Sequence, residues 1–428
     1  MPTVDTLVIG AGHAGLATSR LLAVAGHDHV VLERGQVGER WRSERWDSLH
    51  LLTPNWMLQL PGSRYGGSDP DGFTPASGFV EMLEAYAASF AAPVVEGTTV
   101  EEVRHSERAT SRYAVSTDAG TWDARNLVIA TGAHGHPVFP AGTDRSHMGP
   151  ARVIAARDYR NPDLLAPGGV LVVGASASGV QIADELVHSG RQVTLAVGRH
   201  TRMPRTYRGM DIYWWLEATG RLARTIEERA DLAAARRENS LQLIGRREGD
   251  QPDSSVDLGA LQRRGVRLTG RLVETSGHVV HLADDLPEWV READRAMHRF
   301  LDAVDDHVQA SRLTNEVWPP LRPGPVPLSP SPTRLDLRTE GITTVVVAAG
   351  YRPDHPWLRL PILAADGSIA QRRGRTELPG VYTVGQRFQH RRDSAFIRGA
   401  TYDAAAVVAH LTDHSPEDAS AITPESAA

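Results

Sequence analysis

The sequence predicts an α/β fold made of two similar units, the second inserted into the first. Two observations carry this prediction. A short apolar strand, a glycine turn, a helix and a second apolar strand occur in this order at residues 4–33 and again at residues 170–198. Continuous apolar runs such as VDTLVI and VLVV are typical of strands buried in a parallel sheet. The chain of 428 residues is long enough for two or three ordinary domains.

The first glycine turn has the pattern G-x-G-x-x-G, with glycines at Gly10, Gly12 and Gly15. The first glycine permits a tight turn, the second lets a pyrophosphate approach the backbone, and the third lets the helix pack on the strand. The strand HVVLE then ends at Glu33. A carboxylate there accepts hydrogen bonds from a ribose diol and repels a 2′-phosphate. This unit is therefore predicted to be a Rossmann-like domain that holds FAD or NAD(H).

The second glycine turn is GASASG, from Gly174 to Gly179, with Ser176 in place of the middle glycine. Basic residues rather than an acid follow its second strand: Arg199, His200, Arg202, Arg205 and Arg208. Arginine binds phosphate through paired hydrogen bonds, which favours NADPH over NADH. The alternative is that these arginines only solvate a surface loop.

The composition excludes several chemistries. The chain contains no cysteine and no lysine, so it has no thiol nucleophile, no redox-active thiol pair and no lysine for a Schiff base. No metal-ligating pattern such as H-E-x-x-H is present. The net charge of −6 gives no overall attraction to nucleic acid or to anionic membranes. No apolar run approaches the length of a membrane span, and we expect a soluble cytoplasmic protein.

Four further segments resemble those of the flavin-containing monooxygenases (class B flavoprotein monooxygenases), which belong to the two-dinucleotide-domain flavoproteins. They resemble the family's G-x-W segment beside the flavin, its two hinges and its closing flavin segment. These segments are VGERWRSERWDSLHLLTPNWMLQLPG (37–62), LVIATGAHGHPVFP (127–140), VVVAAGYRPD (345–354) and LPGVYTVGQRFQHRRDSAFIRGATYDA (378–404).

The resemblance implies two Rossmann-like domains and an enzyme that uses FAD, NADPH and O2. The expected parts are an FAD domain (1–150), an NADPH domain with a helical insertion (151–335), the rest of the FAD domain (336–412) and a disordered tail (413–428). In this family NADPH reduces FAD, and the reduced flavin forms a C4a-(hydro)peroxide with oxygen. This species oxygenates a small organic substrate at nitrogen or sulfur, or by a Baeyer–Villiger insertion.

The resemblance and the two glycine turns together predict the site residues. Those expected to bind the cofactors are Gly10, Gly12, His13, Ala14, Gly15, Glu33, Arg34, Arg40, Trp41, Thr131, Gly132, Gly174, Ser176, Ala177, Ser178, Gly179, Arg199, His200, Arg205, Gly350, Gly385 and Gln386. Thr53, Asn55 and Gln386 are expected beside the reacting groups. The chain departs from the family in two ways here: Leu52 occupies a position that usually carries asparagine or histidine, and Gln386 replaces an acid.

Two other functions stay open: an NADPH-dependent reductase or oxidase that inserts no oxygen, and a flavin-binding redox sensor without turnover. The middle of the chain matches no motif. We expect a helix at 225–239, a polar loop at 245–255, short strands around a turn at Gly277, and a long amphipathic helix at 286–309. That helix is a lid or a homodimer face, or it packs on the NADPH domain, which is the interpretation we favour.

Overall fold

The computed structural model describes residues 2–108, 111–140, 143, 148–149, 151–238, 241–242 and 256–412. Two sheets with parallel strands organise these residues, as expected for an α/β protein with two Rossmann-like units. The expected disordered tail and the polar loop at 245–255 lie outside the described residues.

The first sheet has seven strands, and one of them comes from the far end of the chain. In order across the sheet these are Val94–Val95, His29–Leu32, Thr3–Ile9, Gly120–Ile129, Tyr113–Thr117 and Val100–His105, with Val381–Thr383 also paired to Gly120–Ile129. The pairing of Val381 with Leu127 is parallel. The chain therefore leaves this sheet after residue 129 and returns to it at residue 381, which confirms that the second unit is inserted into the first.

The second sheet has five parallel strands, in the order Arg152–Ala155, Ile342–Val347, Gly169–Val173, Val193–Ala196 and Arg267–Thr269. The strand Ile342–Val347 pairs on both sides, with Arg152–Ala155 and with Gly169–Val173. The expected domain boundary between residues 335 and 336 is wrong, because the second unit continues through Val347. The apolar run ITTVVV predicts a doubly buried strand, but a run of this kind does not show which of two sheets it joins.

Nine helices are described: α1 (His13–Val24), α2 (Glu39–Ser43), α3 (Ala76–Ser89), α4 (Ala177–His188), α5 (Ile212–Ala218), α6 (Leu232–Arg236), α7 (Leu258–Arg263), α8 (Leu286–Ala310) and α9 (Ile397–Leu411). Helices α1 and α4 begin directly after the two glycine turns. Helix α9 packs on α1 and encloses one side of the first sheet.

The long amphipathic helix is confirmed as α8, and its apolar face is buried within the chain. The buried residues recur at helical spacing: Leu286, Val290, Ala293, Met297, Phe300, Leu301, Val304 and Val308. Most of them pack with Trp215 and Tyr207 of the second unit. This burial supports packing rather than a lid or a subunit face.

The single helix expected at 225–239 is wrong in extent. A capping box at Thr225 closes a short 3-10 turn, Ile226–Glu228, and Asp231 then caps the separate helix α6 by accepting from the Ala234 N–H. Each cap supplies its own helix start, so the segment divides. The other 3-10 turns are Asn55–Met57, Ala156–Asp158 and Pro162–Leu164.

Smaller strands complete the fold. The expected turn at Gly277 (φ 61°) joins Leu272–Ser276 to Val279–Leu282, and Arg334–Asp336 pairs with the latter. Four two-stranded ribbons are Gln59–Leu60 with Ser63–Arg64, His136–Pro137 with Tyr351–Arg352, Thr201–Arg202 with Leu241–Gln242, and Thr206–Tyr207 with Met210–Asp211. The second ribbon pairs the two expected hinge segments with each other, so both chain crossings lie side by side.

Candidate cofactor and substrate site

The first glycine turn is tightly packed except at Gly12. Gly10 has a φ of +106°, and a Cβ there would lie 2.8 Å from the Ala130 carbonyl oxygen. A Cβ at Gly15 would lie 1.9 Å from the Gly10 carbonyl oxygen, whereas a Cβ at Gly12 would meet no atom within 4 Å. The turn therefore needs two glycines for its own packing and leaves open space over the third. No side chain caps α1, so its first N–H groups face that space.

Glu33 is buried against this turn, as the sequence predicts. Its Oε2 accepts the Ala11 N–H at 2.7 Å, and its Oε1 accepts the Gly35 N–H at 3.2 Å. The carboxylate thus lies at the carboxyl ends of the parallel strands, where a ribose would bind. Arg34 is exposed and pairs with Glu44 at 2.7 Å.

The closing segment of the chain lies on the start of α1. A Cβ at Gly385 would lie 2.8 Å from the Ala14 Cβ. The Nε2 atoms of Gln386 and His13 are buried with no hydrogen-bond partner among the described residues. Burial lowers the pKa of His13 to about 4, so its imidazole is neutral at pH 7. Unpartnered polar atoms in this position fit a site for a polar ligand.

The second glycine turn repeats this geometry. A Cβ at Gly174 would lie 2.5 Å from the Ala348 carbonyl oxygen, and a Cβ at Gly179 would lie 1.8 Å from the Gly174 carbonyl oxygen. Ser176 occupies the N-cap of α4 but makes no capping hydrogen bond, so this helix start is also open. A cavity of about 480 Å³ lies in front of it, and Ala177, Ser178 and Gly350 contribute to its lining.

Three arginines line this nucleotide-sized cavity, and one of them, Arg387, also lines the second cavity described below. Arg199 is the one that the sequence predicts, with a side chain 68% exposed and its Nε 3.9 Å from Glu292. Arg271 is the second, 60% exposed and paired with Asp285 at 3.2 Å. Sequence reasoning missed Arg271 because it precedes a strand in the middle region, far from the glycine turn in the chain.

The structure does not bring His200 and Arg205 to this cavity. His200 is 6% exposed, and its Nδ1 is 2.9 Å from the Gly198 carbonyl oxygen. Arg205 is buried, pairs with Asp211 at 2.6 Å and donates to the Leu52 carbonyl oxygen at 2.6 Å. These two residues serve internal packing, so their predicted role in binding NADPH is corrected.

A smaller cavity of about 330 Å³, here called the inter-turn cavity, lies between the two glycine turns. His13 lines it from the first turn, and Ala177 and Ser178 line it from the second. Thr53 and Trp41 also line it, and Trp41 packs edge-on against Phe79 with ring centroids 4.9 Å apart.

Asn55 and Gln386, both expected beside the reacting groups, do not line the inter-turn cavity. The Asn55 Nδ2 donates to the Asp69 carbonyl oxygen at 2.9 Å, and its Oδ1 accepts from the Thr74 hydroxyl at 2.6 Å. Both ends of this amide therefore hold its own loop together. The predicted role of Asn55 is corrected to a structural one.

His134 lies where the two cavities meet, and it lines both of them. It follows Thr131 and Gly132, which extend the end of the strand Gly120–Ile129. Burial, together with the nearby charges of Arg45 and Arg387, lowers the pKa of His134 to about 3, so its ring is neutral at pH 7. Arg40 donates to the His134 carbonyl oxygen and so ties α2 to the first hinge.

The N-termini of α1 and α4 have no side-chain caps, and they face adjoining cavities. These two N-termini define a dinucleotide-dependent oxidoreductase. Residues 7–229 match the family described as pyridine nucleotide-disulphide oxidoreductase, and the chain belongs to this family. This membership confirms the expectation of an oxidoreductase. Disulphide exchange by this chain itself is excluded because it contains no cysteine.

Relatives and solved structures place the chain beside flavin monooxygenases. It is 28% identical to "Uncharacterized oxidoreductase CzcO-like" of Geobacillus kaustophilus, over 96% of this chain and 99% of that protein. It is 26% identical to "Indole-3-pyruvate monooxygenase YUCCA1" of Oryza sativa, over 89% and 86%. The fold matches the flavin-containing monooxygenase from Stenotrophomonas maltophilia with a TM-score of 0.65 and 19% identity, over 96% and 99%.

These comparisons confirm the resemblance to flavin-containing monooxygenases and the fold of two dinucleotide-binding units. The prediction of FAD and NADPH agrees with them, because the family description names a pyridine nucleotide and the Stenotrophomonas protein is named for flavin. None of the helices described here is long and apolar enough to cross a bilayer. The described residues include no group of three or more histidine, aspartate or glutamate side chains arranged to hold a metal ion.

Proposed function

We propose that this protein is an FAD- and NADPH-dependent monooxygenase that oxygenates a small organic substrate in the inter-turn cavity. One observation carries the proposal: this cavity is lined by the first residue of α1 and by the first two residues of α4. Groups held at the two helix starts would therefore face one shared space, which two-cofactor hydride transfer requires.

The first unit has the features that FAD binding needs. The open position at Gly12 and the uncapped start of α1 would receive the diphosphate, and Glu33 would accept hydrogen bonds from a ribose. Bound FAD, once reduced, would supply the activation of O2. Glu33→Arg should abolish flavin retention, whereas Arg42→Gln, at an exposed residue of α2 that pairs with Glu84, should keep it. The absorbance ratio of flavin to protein measures both.

The second unit would receive NADPH. The start of α4 would hold the diphosphate, and Arg199 and Arg271 would face the 2′-phosphate at the mouth of the cavity. Because both guanidinium groups are largely exposed, they can turn towards an arriving phosphate. The nicotinamide would then extend towards His134, where the two cavities meet.

The lining of the inter-turn cavity suits a water-sensitive reaction. Its walls include Trp46, Leu49, Tyr213 and Phe396, which limit access of water to the reacting groups. His13 and His134 are neutral at pH 7, so each offers one N–H donor and one acceptor nitrogen rather than a positive charge.

The test begins with NADPH added to the purified flavoprotein without oxygen. Bleaching of the flavin would show transfer between the two sites, and a flavin that stays yellow would favour a non-catalytic sensor. Oxygen is then admitted with a panel of amines, sulfides and ketones, and the products are identified by mass spectrometry. A product that accounts for the NADPH consumed supports the proposal. Peroxide equal to the NADPH consumed with every substrate would favour an oxidase and contradict the proposal.

A further inference from the structure

A segment of the first unit, residues 45–49, lies against the second unit beside the inter-turn cavity. The segment follows α2 in the chain, yet Trp46 and Leu49 pack in an apolar core formed mainly by residues of the second unit. The same two side chains line the inter-turn cavity. The segment therefore holds one wall of the cavity against the second unit.

Glu185 of α4 connects this segment to the second unit through both of its carboxylate oxygens. Its Oε1 accepts from the Ser48 hydroxyl at 2.7 Å, and its Oε2 accepts from the Tyr159 hydroxyl at 2.7 Å. Ser48 belongs to the first unit, whereas Tyr159 follows the strand Arg152–Ala155 of the second sheet. One side chain therefore joins α4 to the first unit and to the frame of the second.

Tyr159 fixes the direction of the Glu185 side chain. The Tyr159 side chain is fully buried, and burial together with its hydrogen bond to Glu185 raises the pKa of its hydroxyl. The hydroxyl therefore keeps its proton and donates. Because the ring is held by packing on all sides, a carboxylate bound to it has little freedom to turn away from Ser48.

Further hydrogen bonds join the same segment to the second unit. The Asp47 N–H donates to the Arg160 carbonyl oxygen at 2.9 Å, and the Arg160 guanidinium donates to the Arg45 carbonyl oxygen. The Asn161 Nδ2 donates to the Asp47 Oδ2 at 2.6 Å. The segment cannot shift along the second unit without breaking several of these bonds, so the bond between Ser48 and Glu185 acts between well-held partners.

Glu185 lies on the helix whose start faces both cavities. Ser178 at that start lines the two cavities, and Glu185 follows it in α4 after about two helical turns, on nearly the same side of the helix. Because a helix is stiff, a displacement at Glu185 moves the start of α4 as well.

We propose, on the basis of the proposed function, that Glu185 is a positioning residue for hydride transfer. Its bond to Ser48 fixes the start of α4, and with it the nicotinamide, relative to the flavin. Neither Ser48 nor Glu185 lines either cavity, so both act through the elements that they join. Hydride transfer is sensitive to such placement, because reacting atoms must be held in a near-attack geometry.

The first experiment follows bleaching of the flavin by NADPH without oxygen in a stopped-flow instrument. At saturating NADPH, we expect Ser48→Ala and Glu185→Ala to lower the rate of bleaching by about tenfold to a hundredfold, the loss that a displacement of about 1 Å can cause. The Kd for NADP⁺, measured by calorimetry, should change little, because neither side chain lines the cavity in front of the second glycine turn. Ser48→Thr keeps the hydroxyl group and should retain most of the unmodified rate.

Tyr159→Phe and Tyr207→Phe form a matched pair. Each removes the hydroxyl of a fully buried tyrosine that donates to a carboxylate, which is Glu185 in one case and Asp305 in the other. Asp305 belongs to α8, so the Tyr207 bond stays within the second unit. Both variants should lower the Tm, but only Tyr159→Phe should slow bleaching. Equal slowing in both would indicate a general loss of stability and would contradict the inference.

A second measurement needs no turnover. NADP⁺ is added to the oxidised flavoprotein, and the change in the visible absorption of the flavin reports a nicotinamide placed beside it. At saturating NADP⁺, we expect this change to be weakened in Ser48→Ala and Glu185→Ala and retained in Ser48→Thr. An undiminished change in the two alanine variants, or no change in the unmodified protein, overturns the inference.

The outcomes separate this inference from the proposed function. A parallel loss of NADP⁺ affinity and bleaching rate in Glu185→Ala would assign Glu185 to nucleotide binding and overturn its positioning role. Unchanged bleaching in the Ser48→Ala and Glu185→Ala variants contradicts the inference alone. If NADPH does not bleach the flavin of the unmodified protein, the proposed function fails, and the spectral comparison by itself decides the inference.

Discussion

Gly385 lies against Ala14, although the two residues are near opposite ends of the chain. A Cβ at Gly385 would lie 2.8 Å from the Ala14 Cβ. The turn that follows the last strand of the first sheet therefore closes over the start of α1. This contact requires the second unit to be inserted so that residue 381 returns beside residue 127. It makes the flavin site of the proposed enzyme dependent on both ends of the chain.

Gly385→Ala is expected to lower flavin retention. The substitution brings a clash with Ala14 and places a side chain at a φ of +76°, which costs an L-residue about 1–2 kcal/mol. Gly367→Ala is the control, because Gly367 has a φ of +78° but its Cβ would be 3.5 Å from the nearest atom. Equal flavin content in the two purified variants would show that the contact with Ala14 does not determine flavin retention.

Arg199→Ala and Arg271→Ala are expected to raise the KM for NADPH more than that for NADH. Loss of one charge-assisted contact to phosphate costs about 1.5–3 kcal/mol, or roughly tenfold to a hundredfold in affinity. Arg208→Ala is the control from the same basic cluster, since Arg208 pairs with Asp305 at 2.7 Å. It should lower the Tm without changing the choice of nucleotide. A parallel rise for NADPH and NADH would place the 2′-phosphate elsewhere.

Arg205→Met is expected to destabilise the protein. It removes a buried guanidinium from Asp211 and from the Leu52 carbonyl oxygen and leaves the Asp211 charge unpaired. Breaking one side of a buried ion pair costs about 3–5 kcal/mol. The double variant Arg205→Met with Asp211→Leu should recover part of that loss in denaturant unfolding. If the single and double variants are equally unstable, the pair contributes through packing alone.

Asp403 is expected to make stability depend on pH. It is buried in α9, and burial raises its pKa from 3.8 to about 7 although the nearby Ser394 hydroxyl acts in the opposite direction. The folded state therefore holds this proton more tightly than the unfolded state. Its stabilising contribution is present below pH 3.8 and is lost as the pH rises to about 7.

Asp403→Asn should remove this dependence, because asparagine keeps the shape of the neutral acid. The Tm of the unmodified protein should fall relative to that of Asp403→Asn as the pH rises from 5 to 8. Glu81→Gln, on the exposed face of α3, is the control and should follow the unmodified protein. A constant difference between Asp403→Asn and the unmodified protein at every pH would contradict the prediction.

Local pattern in the sequence determined both nucleotide-binding units. The glycines at 10, 15, 174 and 179 are required by contacts a few residues away in the chain or on the next strand, so the motif alone specifies their geometry. The position of Glu33 is also determined locally, because its hydrogen-bond partner Ala11 belongs to the adjacent glycine turn. The length and apolar face of α8 were likewise readable from helical spacing.

Tertiary structure decided which side chains share a cavity. The basic cluster after residue 198 looks uniform in sequence. In the structure Asp257 pairs with Arg202, Asp211 with Arg205 and Asp305 with Arg208, while Arg199 lines the cavity. Arg271, Arg45 and Arg387 reach the two cavities from segments without a recognisable motif. Charge pairing and burial depend on residues far apart in the chain, and one-dimensional spacing does not record those distances.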